Sequence, residues 1–264
     1  MTTSYVILRA PNASMMTGPG TNTILLTTSA AGVMVIDPAD ESPVHLDAIV
    51  RIGNEHGGLR RILITHGHPD HVGGAAALRE RLGIPIYAFN RAGVPVLDEE
   101  LADNATFVVG DDTLRALYTP GHRFDHLCFL LERRRILFAG DLISGLGTNV
   151  IAPPDGDMHD YLNSLKRLQS IDIAEVVPGH GPVIADPQAK LVKYIAHRMR
   201  REQQIITALQ VLPPGTTIAE LVQRLYVGID PTLHRVAARS VEAHLLKLQR
   251  EGCVKRDGEH WLLL

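Results

Sequence analysis

Cys128 and Cys253 are the only cysteines, so neither a disulfide framework nor a Cys-x-x-Cys zinc site is available to this chain. No apolar run approaches the length that spans a bilayer. Residues 1–16, MTTSYVILRAPNASMM, lack a basic segment leading into a long apolar stretch, and they lack an arginine-rich amphipathic pattern. These absences make a cytoplasmic protein with no membrane partner the expectation. The formal net charge of −3 exerts no general pull towards nucleic acid or anionic lipid. With 264 residues, the chain is long enough to bury one large core, or one core and a small appendage.

Through the first two-thirds, short apolar runs are broken by Gly, Pro and Asp. Residues 23–28 and 32–36 are predicted to pair as strands across the polar turn Thr28-Ser29-Ala30-Ala31. Helical spacing covers 43–56 and stops at Gly57-Gly58, and a second helix is predicted over 72–82, closed by Gly83. Further strands are expected over 61–64, 84–89, 107–109, 114–118, 126–131, 136–139 and 175–177, with a helix at 161–168. Hairpins mixed with strand–helix units imply an α/β layered fold with mixed sheets. Near Pro187 the pattern changes to a long helix ending about residue 212, two shorter helices over 218–226 and 235–250, and a hairpin around Asp257-Gly258. Helix, helix, hairpin is the order of a winged-helix module.

The chemistry is concentrated in THGHPDHVGG, residues 65–74, directly after the apolar run Ile62-Leu63-Ile64. His66 and His68, two apart at a strand end, can point to one side. Asp70 and His71, on the turn into the next helix, can face a second point nearby. Imidazole and carboxylate together suit zinc and similar divalent ions. One such motif could be a polar loop. Three further pieces repeat its logic: TPGH places His122, FAGD places Asp141 and VVPGHG places His180, each just after a predicted strand and beside glycine.

In order and rough spacing this set resembles the metallo-β-lactamase superfamily over about residues 20–185. The resemblance implies an α/β fold, a four-layer αββα sandwich with metals at one edge, over 1–186, followed by a linker helix and small winged-helix-like domain over 187–264. It assigns His66, His68 and His122 to one zinc and Asp70, His71 and His180 to the other, with Asp141 bridging; iron or manganese are the alternatives to Zn2+. Asp141 also stands where class B β-lactamases usually carry Cys. GTNT, YLNSLKRL, PGHGPVI and YIAHRMRREQQI resemble the beta-lactamase-like protein 2 branch. That branch is associated with single-stranded RNA cleavage, and its fungal relatives act as thioesterases on carrier-bound polyketides. One departure is Arg123-Phe124-Asp125 after His122, where relatives more often carry small or polar residues.

The expected function is a binuclear hydrolase in which a water between the metals is activated, its pKa falling from about 16 towards roughly 7. Asp70, a ligand, is also placed to orient that water as the catalytic residue. The substrate is a small or carrier-bound acyl ester or thioester, or single-stranded RNA. A redox variant with one iron, oxidising persulfides, is the alternative of another class, and a DNA-binding regulator without activity is a weak one. Oligomeric state is left open, a homodimer included.

Other residues carry two readings. Asp37, in VIDPA, is either a turn residue or an acid supporting the metal loop. His126 heads an apolar strand and reads as structural rather than as an extra ligand. Gly145–Asn149 is either a substrate contact or a plain loop. Residues 205–264 hold seven Lys/Arg against six Asp/Glu. The denser basic run, Lys190, Lys193, Arg198, Arg200 and Arg201, reads as a charged helix flank rather than a phosphate-binding face.

Overall fold

The computed structural model describes residues 3–28, 32–228 and 230–264, so Ser29, Ala30 and Ala31 of the expected first turn lie outside the described residues. Two compact units emerge. The first comprises Met1–Thr119, Asp125–Asn149 and Ile171–Gln188; the second comprises Pro120–Phe124, Val150–Ser170 and Ala189–Leu264. This grouping crosses chain order, because two segments before residue 186 belong with the C-terminal helices.

The first unit holds two sheets. Sheet I orders β1 (Ser4–Arg9), β2 (Asn22–Thr28), β3 (Gly32–Ile36), β4 (Leu59–Leu63), β5 (Ile86–Ala88) and β6 (Glu99–Glu100) side by side. Its first three strands are antiparallel and the rest parallel. Sheet II runs β11 (Glu175–Val177), β10 (Ile136–Phe138), β9 (Leu127–Leu131), β8 (Asp112–Tyr118) and β7 (Thr106–Val109), antiparallel except for β10 with β11.

Alternation along β2 explains the layering. Ile24 and Leu26 pack with Leu114, Leu127 and Phe129 between the sheets. Leu25 points the other way and joins Ile62, Ile49 and Leu78 beneath the helices α1 (Pro43–Glu55) and α3 (Ala75–Leu82). A strand covered on both faces has no polar face to show, which is why β3 is continuously apolar, while β2 keeps an apolar centre, Ile24-Leu25-Leu26, between buried Asn and Thr at its ends. Each such Leu or Ile contributes about 1.5–3 kcal/mol by leaving water.

The helix expected over 72–82 begins differently. A one-turn helix α2 (Pro69–Val72) precedes Gly73-Gly74, and only then does α3 start. Gly74 N–H donates to Pro38 O at 2.7 Å, and a Cβ on Gly74 would lie 2.2 Å from that same oxygen. The glycine pair therefore lets the turn carrying Asp70 and His71 press against the loop that follows β3.

In the second unit lie α4 (Met158–Gln169), most of α5 (Pro187–Val211), α6 (Ile218–Leu225), α7 (His234–Arg250) and a small sheet ordered β12 (Thr216–Thr217), β14 (His260–Leu263), β13 (Val254–Asp257). Thr217 caps α6 in a reciprocal box with Glu220. Ile205, Leu221, Val241, Leu245 and Trp261 form its core. This is the expected helix, helix, hairpin order. Among the described residues no helix is long and apolar enough to cross a membrane.

Candidate metal centre

The parallel strands β3 and β4 end side by side, and the chain leaves each through a loop rich in polar side chains. At the end of β3, Asp37 adopts φ of 51°, a left-handed conformation uncommon for a residue with a Cβ. Its carboxylate is thereby turned onto the loop after β4. Thr65 donates to it twice, from N to Oδ1 at 2.8 Å and from Oγ1 to Oδ2 at 2.7 Å. Asp37 Oδ2 also lies 2.7 Å from His71 Nδ1. The turn-residue reading of Asp37 is too modest: it fixes the ring of a candidate ligand, with Nε2 pointing away from Asp37.

That Nε2 faces the rest of the cluster. It lies 3.3 Å from His180 Nε2, 3.4 Å from Asp141 Oδ1 and 3.8 Å from Asp70 Oδ2. His180 Nε2 is 3.3 Å from each of the same two carboxylate oxygens. A tetrahedral zinc with bonds near 2.0–2.1 Å holds its ligand atoms about 3.3 Å apart. The donor set of Asp70, His71, Asp141 and His180 thus has the chemistry and the spacing that a divalent cation requires. The wall around it is backbone: a Cβ on Gly179 would sit 2.7 Å from His71 Cε1 and 2.8 Å from Asp141 Oδ1.

Charge at the cluster is strongly coupled. Burial favours neutral His71, yet Asp141 and Asp37 outweigh it and raise the imidazole well above its usual range. Burial likewise presses His180 down, but hydrogen bonds to Asp141 and Asp70 prevail and push it up to about 9. Burial would raise Asp141, and the two imidazoles instead hold it well below the carboxylate range. Asp70 is lowered in the same way, against burial, by His180 and His71. Positive charge is what these carboxylates are arranged to meet, from protons or from a metal.

His66 and His68 form the adjoining pair, with His66 Nε2 and His68 Nδ1 facing each other at 2.9 Å. His66 is fully buried and groups with His71 and Asp141 as a further set of metal-capable donors. The first unit therefore gathers six of the seven residues singled out: His66, His68, Asp70, His71, Asp141 and His180. His122 lies on Pro120–Phe124 of the second unit. There its Nδ1–H donates to Val150 O at 3.0 Å, so the lone pair for a cation sits on Nε2.

His126 differs from these ligands. Its Nε2 accepts from Asp141 N–H at 3.1 Å, so Nδ1 carries the proton and meets Thr119 Oγ1 at 3.0 Å. With both nitrogens engaged, the ring has the structural role that its place at the head of β9 implies. Asn149, from the loop after Asp141, donates its Nδ2 to Asp141 O. Two further residues escaped sequence reasoning. Asn22 Nδ2 donates to Pro178 O and Gly181 O, both at 2.9 Å, holding the loop of His180. Asp125 Oδ2 accepts from Gly67 N–H at 2.9 Å, inside the His66–His68 turn. GTNT and the Asp125-His126 pair were the only sequence marks of these two.

Sheets layered in this way, with His and Asp ligands gathered at strand ends, define a metal-dependent hydrolase fold. The chain belongs to the metallo-β-lactamase superfamily, whose model matches residues 16–180, and a beta-lactamase associated winged helix domain matches residues 217–261. It is 34% identical to a beta-lactamase-like protein 2 homolog of Drosophila melanogaster, across 96% of this chain and 90% of that one. It is 30% identical to an atrochrysone carboxyl ACP thioesterase of Aspergillus fumigatus, across 95% of this chain and 84% of that one. A metallo-beta-lactamase family protein of Thermus thermophilus shares the fold, with a TM-score of 0.81 at 24% identity and 98% of both chains covered.

Proposed function

We propose that the chain is a binuclear, zinc-dependent hydrolase of esters or thioesters of small or carrier-bound acyl groups. The observation that carries this reading is the convergence of Asp70, Asp141 and His180 on His71 Nε2, at 3.3–3.8 Å. These residues would hold one cation, with Asp141 also grouping with His66 and His71 as donors for a neighbouring one. When bound, such a pair supplies Lewis acidity and a water acidic enough to lose its proton near neutral pH. Asp70 would orient that water. Its side chain is 30% exposed, against 13% for Asp141, so an oxygen of Asp70 can reach solvent and substrate. The lowered pKa keeps it ionised, as an acceptor of hydrogen bonds and a ligand rather than a store for the proton. Asp37 acts behind His71, fixing its ring and tautomer.

The acyl substrate is favoured over RNA by two features. A relative across nearly the whole chain is named for thioester cleavage. Three of the five basic residues of α5 are also engaged in packing, leaving Lys193 and Arg200 exposed. Arg198 is buried over Tyr161, Lys190 lies over Tyr194 and Arg201 over Tyr226, so this face is no phosphate track.

The test is metal analysis together with a panel of thioester, lactone, phosphodiester and RNA substrates. Two zinc ions per chain and thioester turnover that collapses in Asp70→Asn are expected. One iron per chain with persulfide oxidation would overturn the hydrolase. Tight RNA binding that weakens steeply with salt, accompanied by cleavage, would replace acyl chemistry with phosphodiester chemistry.

A further inference from the structure

Three consecutive residues at the entry to β9 reach loops that carry ligands. Asp125, 1% exposed, accepts the Gly67 N–H through Oδ2 at 2.9 Å, and Gly67 is the residue between His66 and His68. Next, His126 accepts the Asp141 N–H through Nε2 at 3.1 Å. Leu127 then donates its N–H to Thr65 O at 2.7 Å, tying the start of β9 to the residue before His66.

The consequences of the first contact are geometric. The placement of two imidazoles two residues apart depends on the peptide planes on either side of the residue between them. An acceptor that holds the Gly67 N–H fixes one of those planes, and a carboxylate acceptor makes the bond charge-assisted. Asp125 is itself confined: a Cβ on Gly93 would lie 1.9 Å from Oδ2 and 2.3 Å from Cγ. The Asp141 peptide is held from both ends, at N by His126 and at O by Asn149.

We propose that Asp125 and His126 are positioning residues that divide the metal centre between them. Asp125 sets the His66–His68 pair of one metal, and His126 sets the shared Asp141. This inference rests on the binuclear reading above and adds residues that touch neither metal nor substrate.

The experiment uses the full chain loaded with zinc and challenged with increasing chelator, counting zinc retained per chain. Cobalt-loaded samples report ligand geometry by their visible spectrum. In Asp125→Ala, one of two zinc ions is expected to leave at a chelator concentration about 10–100-fold below that for wild type, with the second retained. Asp125→Asn keeps an oxygen for the Gly67 N–H and should restore most of the retention. Gly93→Ala, which displaces the carboxylate without altering it, should reproduce the selective loss in folded protein even if Asp125→Ala folds poorly. His126→Gln should instead weaken both ions, since Asp141 is common to them, and change the cobalt spectrum. Asp125→Ala and Gly93→Ala with wild-type retention and spectra would overturn the inference alone. A wild-type chain that takes up no divalent ion would overturn the binuclear reading and this inference with it.

Discussion

Glu202 on α5 accepts from Lys247 Nζ at 2.8 Å and lies 3.4 Å from His244 Nδ1, and Lys247 also reaches Glu251 at 2.8 Å. Like the metal centre, this cluster buries imidazole among carboxylates: His244 is fully enclosed and Glu202 is 6% exposed. The difference is the ammonium. In the second unit a lysine on the chain supplies the positive charge, and its donors meet the carboxylate oxygens directly. In the first unit the set contains no lysine or arginine. The carboxylates of Asp70 and Asp141 face imidazole nitrogens, which themselves face each other at 3.3 Å. A buried polar cluster that carries a permanent ammonium is a structural device, whereas one whose positive charge rests on imidazole protons can exchange those protons for a metal.

The comparison can be broken at several points. Asp141→Asn removes the charge shared by two cations, and the loss of turnover should exceed the roughly 10–100-fold typical of an outer partner. Stripping the metal should abolish turnover, and full activity in the stripped chain would show that a side-chain nucleophile carries the reaction. Lys247→Met leaves Glu202 buried without its ammonium and should cost about 3–5 kcal/mol in urea unfolding. Zinc content should be unchanged; a fall in zinc per folded chain would mean that the two clusters are not independent in kind. Replacing Glu202 and Lys247 together by apolar residues of similar size should recover most of that stability.

A smaller effect is expected from Asp37→Asn. The variant keeps an acceptor for Thr65 but no longer anchors His71 as a carboxylate, so zinc affinity should fall about 10-fold at the low end of outer-partner effects. Competition with a chromogenic chelator measures it, and unchanged affinity would reduce Asp37 to a turn residue after all.

The smallest effect is in pH dependence, where the two clusters have opposite signs. Burial, with Arg198 and Lys247 nearby, lowers His244, so the unfolded chain takes up a proton that the folded chain refuses. Stability should fall as pH drops below about 6.5, the ordinary imidazole value. His244→Gln should flatten that slope. In metal-stripped protein His180 is raised to about 9, so its contribution is full below about 6.5 and disappears as pH rises through 9. Melting temperatures across pH 5–10, with and without zinc, separate the two slopes.

The candidate donors were legible because metal binding needs particular side chains, and four of them fall within six residues, His66 to His71. The others sit at strand ends that apolar runs announce. Their supports were not legible for the same physical reason in reverse. Asn22 and Asp125 act through backbone amides and carbonyls of residues more than fifty positions away, and any polar side chain in a loop looks equally suited to that. The break of the second helix was signalled by Gly73-Gly74, as Gly57-Gly58 signalled the end of the first, but the apolar spacing on either side outweighed it. Only the approach of Pro38 O shows why glycine stands there. β1 passed unnoticed because its residues alternate weakly and are half exposed at a sheet edge. Charge counting understated the second unit, since it could not tell that Arg198 is buried.

The bonds from Asn22 to the loop of His180 have a consequence for biosynthesis. Asn22 leaves the ribosome 156 residues ahead of Pro178 and 159 ahead of Gly181, the two carbonyls its side chain will hold. Until then β2 can pair with β1 and β3 but has nothing to grip at its leading end. The nascent chain therefore carries the histidines of residues 66–71 for more than a hundred residues of synthesis before His180 follows. Closing so long a loop carries an entropic cost that local hairpins do not. The His180 loop is thus among the last parts of the first unit to be put in place, and the cluster around His71 closes only when it arrives.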